Sequence, residues 1–262
     1  MKILILGSSG FIGKRLCNRL QIGNDLIRVD RTTNLNEIIE YHYEFDFIIN
    51  CISSLPDAIQ SDSYTSNYTV PRSVIAKIQH KTWIQIDSYF QLQIPYGRRD
   101  FYTLDKQKFC DFLNQEAFDK TDVKIKHLTL PHIFGEEDRP SRLITSVIKK
   151  LGENSSFYAS HGCQYLPILN VEDALDGVIR FMQSEQTYAS CPPFLNIQVY
   201  KLLEEIRSVI GRGNLIHDAN QRSVDDDFPL IRFEESVSDW TPKMKKEEFL
   251  IWVSKQAEKF SY

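Results

Sequence analysis

Residues 3–16 read ILILGSSGFIGKRL, and the fold turns on how they are read. An apolar run of strand type meets an amphipathic stretch, FIGKRLCNRL, whose Ile12, Leu16 and Leu20 share one helical face. Between the two runs stand Gly7, Gly10 and Gly13, spaced by three. Glycine weakens strand and helix alike, so the bare backbone must serve another need. A glycine loop that leaves a first strand and opens a first helix meets such a need. Gly7 permits a tight turn, Gly10 lets the backbone approach a pyrophosphate, and Gly13 lets helix and sheet pack closely. The helix start adds free N–H groups and a positive dipole end. The spacing is GxxGxxG rather than the commoner GxGxxG, and it sets Ser9, Phe11 and Ile12 beside the glycines against a dinucleotide.

The rest of the chain bounds this reading. Its 262 residues allow one large domain or a main domain with a smaller one. The composition, 42% hydrophobic and 25% charged, is that of a globular protein. A net charge of −4 gives no basic surface for nucleic acid. No apolar run reaches membrane-span length, and MKILIL is too short for a signal-peptide core, so a cytoplasmic protein with no membrane partner is expected. Cys17, Cys51, Cys110, Cys163 and Cys191 are scattered, with no CxxC, and read as reduced thiols, mostly buried. The six histidines show no metal-ligand spacing, so no metal is expected.

Strand and helix patterns alternate. KILIL, LIRVD, FDFIIN, TWIQID and VKIKHLTL read as strands. FIGKRLCNRL, LNEIIEYH, NYTVPRSVIAKIQ and YTLDKQKFCDFLNQEAF read as helices. This order predicts an α/β fold, a doubly wound parallel sheet of Rossmann type. Further helices are expected near 141–151, 172–183, 200–210 and 245–260, and GRGNLIHDANQRSVDDDFP reads as an irregular surface region. The division expected is a dinucleotide-binding domain of residues 1–135 and 165–198, with a smaller substrate-binding region of 136–164 and 199–262.

Two further constellations carry chemistry. Asp30 ends the second strand, 17 residues after Gly13, where a carboxylate accepts from the hydroxyls of an adenosine ribose and favours NAD. Arg31 follows at once and suits a 2′-phosphate, so NAD and NADP both stay open. Tyr102 and Lys106, in YTLDK, are four apart and share a helix face. A tyrosine is a weak acid or base near neutrality, but an ammonium a few ångströms away favours phenolate, and the pair can then exchange a proton with a carbonyl or hydroxyl. Ser88 follows the fourth strand at its C-terminal end, the edge where open parallel sheets bind ligands, and its hydroxyl suits the same carbonyl oxygen.

With these residues in order, the chain resembles the short-chain dehydrogenase/reductase superfamily, in the extended branch of nucleotide-sugar epimerases, dehydratases and reductases. GSSGFIG is similar to the branch's glycine motif. NCIS, residues 50–53, resembles its small-residue turn and implies cofactor contacts from Cys51, Ile52 and Ser53. Asn67, in SNYTVP, resembles the asparagine that opens the next helix beside the cofactor. IDSYF and YTLDK resemble the catalytic serine and tyrosine–lysine motifs. LPHIFGEED resembles RxxxVYGPGD, implying that Pro131 meets the nicotinamide and His132 the substrate. LPILNVEDALDGV and DWTPKMKKEEFL resemble two C-terminal motifs.

The departures are informative too. A strand and its helix are missing between RTTNLNEII and FDFIIN, LPILNVED lacks an Arg-Asp pair, and FGEED lacks Pro-Gly. Ser88 precedes Tyr102 by only 14 residues, and Tyr89 and Phe90 follow it where a dehydratase carries Asp-Glu. DSYF…YTLDKQKF most resembles reductases of the CDP-abequose synthase type, which reduce the 4-keto group of a deoxysugar nucleotide.

The resemblance implies NAD or NADP as cofactor and a nucleotide-sugar substrate, and it allows a homodimer. It gives Ser88, Tyr102 and Lys106 catalytic roles, with Tyr102 and Lys106 also touching the cofactor. A nucleotide diphosphate calls for arginine, and Arg139, Arg142, Arg212 and Arg222 are the candidates, with Tyr89 beside the sugar. An epimerase uses the same parts. A non-catalytic dinucleotide-binding protein of this fold is the alternative of another class, against which the complete Ser88, Tyr102 and Lys106 set argues.

Overall fold

The computed structural model describes residues 1–40, 44–54, 59–119, 122–218 and 228–261. Their strands are, in chain order, β1 (Lys2–Leu6), β2 (Asp25–Val29), β3 (Glu44–Asn50), β4 (Gln79–Ser88), β5 (Lys124–Leu130), β6 (His132–Phe134), β7 (Ser156–Ala159), β8 (Tyr165–Asn170), β9 (Tyr188–Ser190), β10 (Leu195–Gln198) and β11 (Asn214–His217). The helices are α1 (Phe11–Leu20), α2 (Leu35–Glu40), α3 (Gln60–Tyr64), α4 (Val70–Lys77), α5 (Phe101–Asp119), α6 (Leu143–Gly152), α7 (Val171–Gln183), α8 (Val199–Ile210) and α9 (Lys246–Glu258). A π-helical turn, Thr65–Thr69, joins α3 to α4, and a 3₁₀ segment, Tyr89–Tyr96, follows β4.

These residues form two compact units: Met1–Leu130 with Leu175–Cys191 and Glu234–Trp240, and Pro131–Ala174 with Pro192–Phe233 and Thr241–Tyr262. The sequence-based division assigned 165–198 to the dinucleotide domain as one block; here β8 and β10 group with the second unit.

The first unit is built on a six-stranded sheet of order β2-β1-β3-β4-β5-β9, parallel at every pairing. Ile3 to Leu6 are fully buried, as a strand covered on both faces must be, which is why KILIL shows no alternation. Leu4, Phe45, Ile48, Trp83, Phe109 and Leu113 belong to one cluster that locks α5 against the sheet. Each such side chain contributes about 1.5–3 kcal/mol by leaving water. The chain leaves β1 toward β2 and returns to β3 on the other side of β1, so the strand order reverses at β1. Ligands bind at the carboxyl ends of such a switch point. Among the described residues β2 is an edge strand, in keeping with the missing strand and helix.

The helix preceding β4 differs from expectation. It starts at Gln60, not with NYTVP, so Asn67 sits inside the π turn and does not open a helix.

In the second unit, β10-β8-β6 form a small sheet with β10 antiparallel and β6 parallel to β8, while β11 pairs in parallel with β7. The region read as irregular thus contains a strand, in which NLIH pairs with SFYA. Helices α6, α8 and α9 bury Val147, Leu151, Leu202, Ile206, Phe249 and Val253. Phe134 packs edge-on to Phe249 and Trp252, both at 5.1 Å.

Candidate active site

The glycine loop takes the form its spacing asks for. Gly7 has φ +77°, and a Cβ there would also lie 2.9 Å from the Cys51 backbone. A Cβ on Gly13 would lie 2.2 Å from the Gly7 carbonyl oxygen, so only glycine lets α1 start this close to β1. Gly10 differs, because a Cβ there meets only the Gly7 oxygen, at 3.1 Å, and otherwise enters open space. Gly10 is also the N-cap of α1 and brings no capping side chain. The first-turn N–H groups therefore have no intrahelical partner, and they border a space that a side chain would fill. This is a cradle that fits a pyrophosphate.

At the end of β2 the Asp30 Oδ1 accepts from Thr32 N at 2.9 Å and from Thr32 Oγ1 at 2.7 Å. The Thr32 hydroxyl, followed by its N–H, holds the carboxyl below the usual aspartate range, so Asp30 is an anion on a preformed turn. Arg31 beside it is exposed. At the end of β3, Cys51 N donates to Leu6 O at 2.9 Å and Ile52 N to Asn50 Oδ1 at 3.1 Å, fixing the NCIS turn next to the glycines. Burial pushes the Cys51 thiol up to about 12, so it stays protonated. Asn67 Nδ2 donates to Ser54 Oγ at 2.8 Å, and Ser54 N donates to Asn67 Oδ1 at 3.3 Å. Buried Asn67 therefore fixes Ser54, the residue just after this turn.

The proton-transfer candidates come from β4 and α5. Lys106 is 4% exposed, and its Nζ donates to Ile86 O at 2.9 Å. The same Nζ lies 6.0 Å from the Tyr102 ring centre. One of its three N–H groups is thus spent on the strand, which holds the ammonium still one turn from the phenol. Ser88 caps the segment after β4: its Oγ accepts from Phe90 N at 3.3 Å, and Gln91 Oε1 accepts from Ser88 N at 2.9 Å. An oxygen that accepts from its own turn keeps its O–H free to donate. Phe90 stands edge-on to Tyr102 at 6.1 Å, joining the serine turn to α5, and the Arg98 guanidinium lies 3.7 Å over Phe90. Tyr89 is buried and packs on Phe90 at 4.3 Å.

Pro131, His132, Arg139 and Arg142 belong to the second unit. Burial, and then the charge of Arg142, hold the His132 ring well below the usual imidazole range, so it is neutral. Arg142 donates to Asp138 Oδ1 at 3.2 Å, and the buried His132 Nε2 and Asp138 Oδ2 have no partner among the described residues. Arg139 is exposed. The Arg212 guanidinium is engaged at the end of α9, donating to Ala257 O at 3.0 Å and to Ser261 Oγ. Arg222 lies outside the described residues.

Sequence reasoning missed a polar seam on α5. Tyr102, Lys106, Cys110 and Asn114 recur every four residues, the one available signal, and the last three bond to the sheet: Lys106 to Ile86 O, Cys110 to Asp87 and Asn114 to Tyr188.

The model of the "NAD dependent epimerase/dehydratase family" matches residues 3–190, which include the glycine loop, Ser88, Tyr102 and Lys106. CDP-abequose synthase of Salmonella muenchen is 25% identical over 205 residues, covering 70% of each chain. Among solved structures, the Thermotoga maritima UDP-glucose 4-epimerase with UDP-glucose aligns with a TM-score of 0.79 at 15% identity, covering 99% of both chains. RMD from Pseudomonas aeruginosa complexed with NADPH aligns with a TM-score of 0.77 at 15% identity, covering 98% of this chain and 99% of that one. Both share the fold described above. No described helix is long and apolar enough to cross a membrane. The chain belongs to the NAD dependent epimerase/dehydratase family.

Proposed function

We propose that this protein reduces the 4-keto group of a nucleotide-activated 6-deoxyhexose, with NADH or NADPH as cofactor and Tyr102 as proton donor. The observation that carries the reading is the buried Lys106 ammonium, anchored on Ile86 O two residues before Ser88 and one helical turn from Tyr102. The likeness to CDP-abequose synthase supports the choice of reduction, as does the absence of an acidic pair after Ser88. The dinucleotide, when bound on the glycine loop, supplies the hydride. Tyr102 gives its hydroxyl proton to the carbonyl oxygen. Ser88 Oγ donates a hydrogen bond to that oxygen as charge develops on it. Lys106 stabilises the phenolate left behind and offers its remaining N–H groups to the cofactor ribose.

The test is single-turnover oxidation of NADH and NADPH with a panel of 4-keto-6-deoxyhexose nucleotides. Reduction of at least one member supports the reading. Interconversion of 4-hydroxy epimers with no net cofactor oxidation would assign the second reading, an epimerase.

Two expectations attach to the cofactor. Gly10→Val should leave the fold intact, because only the Gly7 oxygen is crowded, yet nearly abolish dinucleotide binding. Calorimetry with both cofactors checks this, and unchanged affinity would contradict the cradle. Asp30→Ala should weaken NADH more than NADPH if its carboxylate meets the ribose, whereas Arg31→Ala should selectively weaken NADPH if Arg31 meets a 2′-phosphate. Each change removes one charge-assisted hydrogen bond, about 1.5–3 kcal/mol, or roughly ten- to a hundredfold in Kd. Unchanged cofactor preference in both variants would place discrimination elsewhere.

A further inference from the structure

Behind the proton-transfer pair lies a buried network that the proposed reaction does not use directly. The Asp87 carboxylate is flanked on both sides: the Cys110 thiol donates to Oδ1 at 3.0 Å, and His127 Nδ1 lies 3.0 Å from Oδ2. Carboxylate, thiol and ring are all buried. The His127 ring stacks flat on Tyr188 at 5.0 Å and 5°, and the Tyr188 hydroxyl donates to Asn114 Oδ1 at 2.6 Å. Among the described residues His127 Nε2 is buried without a partner, so the ring is held to the carboxylate through Nδ1 alone.

The placement of this carboxylate gives it a use. Ile86 accepts from Lys106, and the next residue, Asp87, accepts from Cys110 one turn further along α5. The residue after that is Ser88. Gln91 closes the circuit, accepting from Ser88 N at 2.9 Å while its Nε2 donates to Cys110 Sγ at 3.2 Å. Helix α5 is thus latched to the end of β4 at two successive residues, directly beneath the groups that transfer the proton.

We infer that Asp87 is a positioning residue for the Tyr102–Lys106 pair: its buried carboxylate latches α5 to the end of β4 through Cys110 and serves as the internal counter-charge of the Lys106 ammonium. Burial alone would raise the Asp87 carboxyl; the bond and electrostatic attraction of His127, then the Lys106 charge and the bond from Cys110, more than offset this and hold it below the usual range. Burial and then the carboxylate push the Cys110 thiol well up, so it stays a donor. The titratable groups facing Asp87 are therefore Lys106 and Cys110 from α5, His127 from β5 and Tyr188 from β9. Arg98 and Asp100, just before Tyr102 in the chain, pair with each other at 2.5 Å. An isolated ammonium pulls a neighbouring phenol strongly toward phenolate, whereas one with a buried counter-charge pulls less.

The inference rests on Tyr102 and Lys106 being the proton-transfer pair, but its test does not need turnover. Asp87→Asn keeps the shape and an oxygen for Cys110 while removing the charge. Titration of the Tyr102 ring carbon in ¹³Cζ-tyrosine-labelled protein, assigned with Tyr102→Phe, reads the consequence. The Tyr102 midpoint should fall by up to about one pH unit, the order expected for removing one buried charge that does not touch the phenol. An unmoved midpoint would overturn the inference and show Asp87 to be a packing residue. Should Asp87→Asn not fold, Asp87→Ser, smaller and still able to accept from Cys110, carries the same expectation and the same refutation. Failure of the proposed reaction would appear separately, as wild-type protein without turnover on the keto-sugar panel.

Discussion

Replacing Tyr102 with phenylalanine should lower turnover by roughly two to four decades, the usual scale for losing a general acid. The ring keeps its edge contact with Phe90, so fold and cofactor affinity should survive. Single-turnover hydride transfer at saturating cofactor reads the loss free of binding effects. Wild-type rates from this variant would mean that the YTLDK spacing is accidental. Ser88→Ala should cost less, because it removes one hydrogen bond to the developing oxyanion and leaves the proton source in place.

Lys106→Met should damage turnover on the same scale and, unlike the tyrosine change, also weaken the cofactor. The ammonium has two assigned tasks, stabilising phenolate and meeting the ribose. Losing a hydrogen bond from a charged donor should raise the cofactor Kd roughly ten- to a hundredfold. It also leaves Ile86 O buried without its partner, costing about 1–3 kcal/mol of stability. Calorimetry, thermal unfolding and single-turnover rates together separate the three effects. A variant with lost turnover but unchanged cofactor affinity would remove Lys106 from the cofactor site.

What was legible in the sequence was local. The first strand, the glycine loop and α1 lie within twenty residues, and periodicity with glycine spacing carries them. Tyr102 and Lys106 are one helical turn apart, so their shared face follows from spacing alone. What was not legible depends on partners far along the chain. QSDSYTS is polar and carries no element in the sequence reading; its helix is held by Asn67 on Ser54 and by Ser63 donating to Asp105, 42 residues away. NLIH forms a strand because β7 offers an edge. Asp87 reads as a polar interruption in an apolar strand, since its partners Cys110 and His127 lie 23 and 40 residues on. The arginines proposed for the substrate were chosen by charge alone, which does not distinguish Arg212, engaged at the end of α9, from exposed Arg139.

The proposed reaction is net hydride transfer to a sugar carbonyl with Tyr102 as proton source. Its most direct test is turnover of a 4-keto-6-deoxyhexose nucleotide with NADH or NADPH deuterated at nicotinamide C4, on the face transferred, followed by mass spectrometry and NMR of the sugar. One deuterium is expected at sugar C4 for each dinucleotide oxidised, with labelling lost in step with turnover in Tyr102→Phe. Bound cofactor with no label in any sugar of the panel, or C4 epimerisation with no net oxidation, would contradict it.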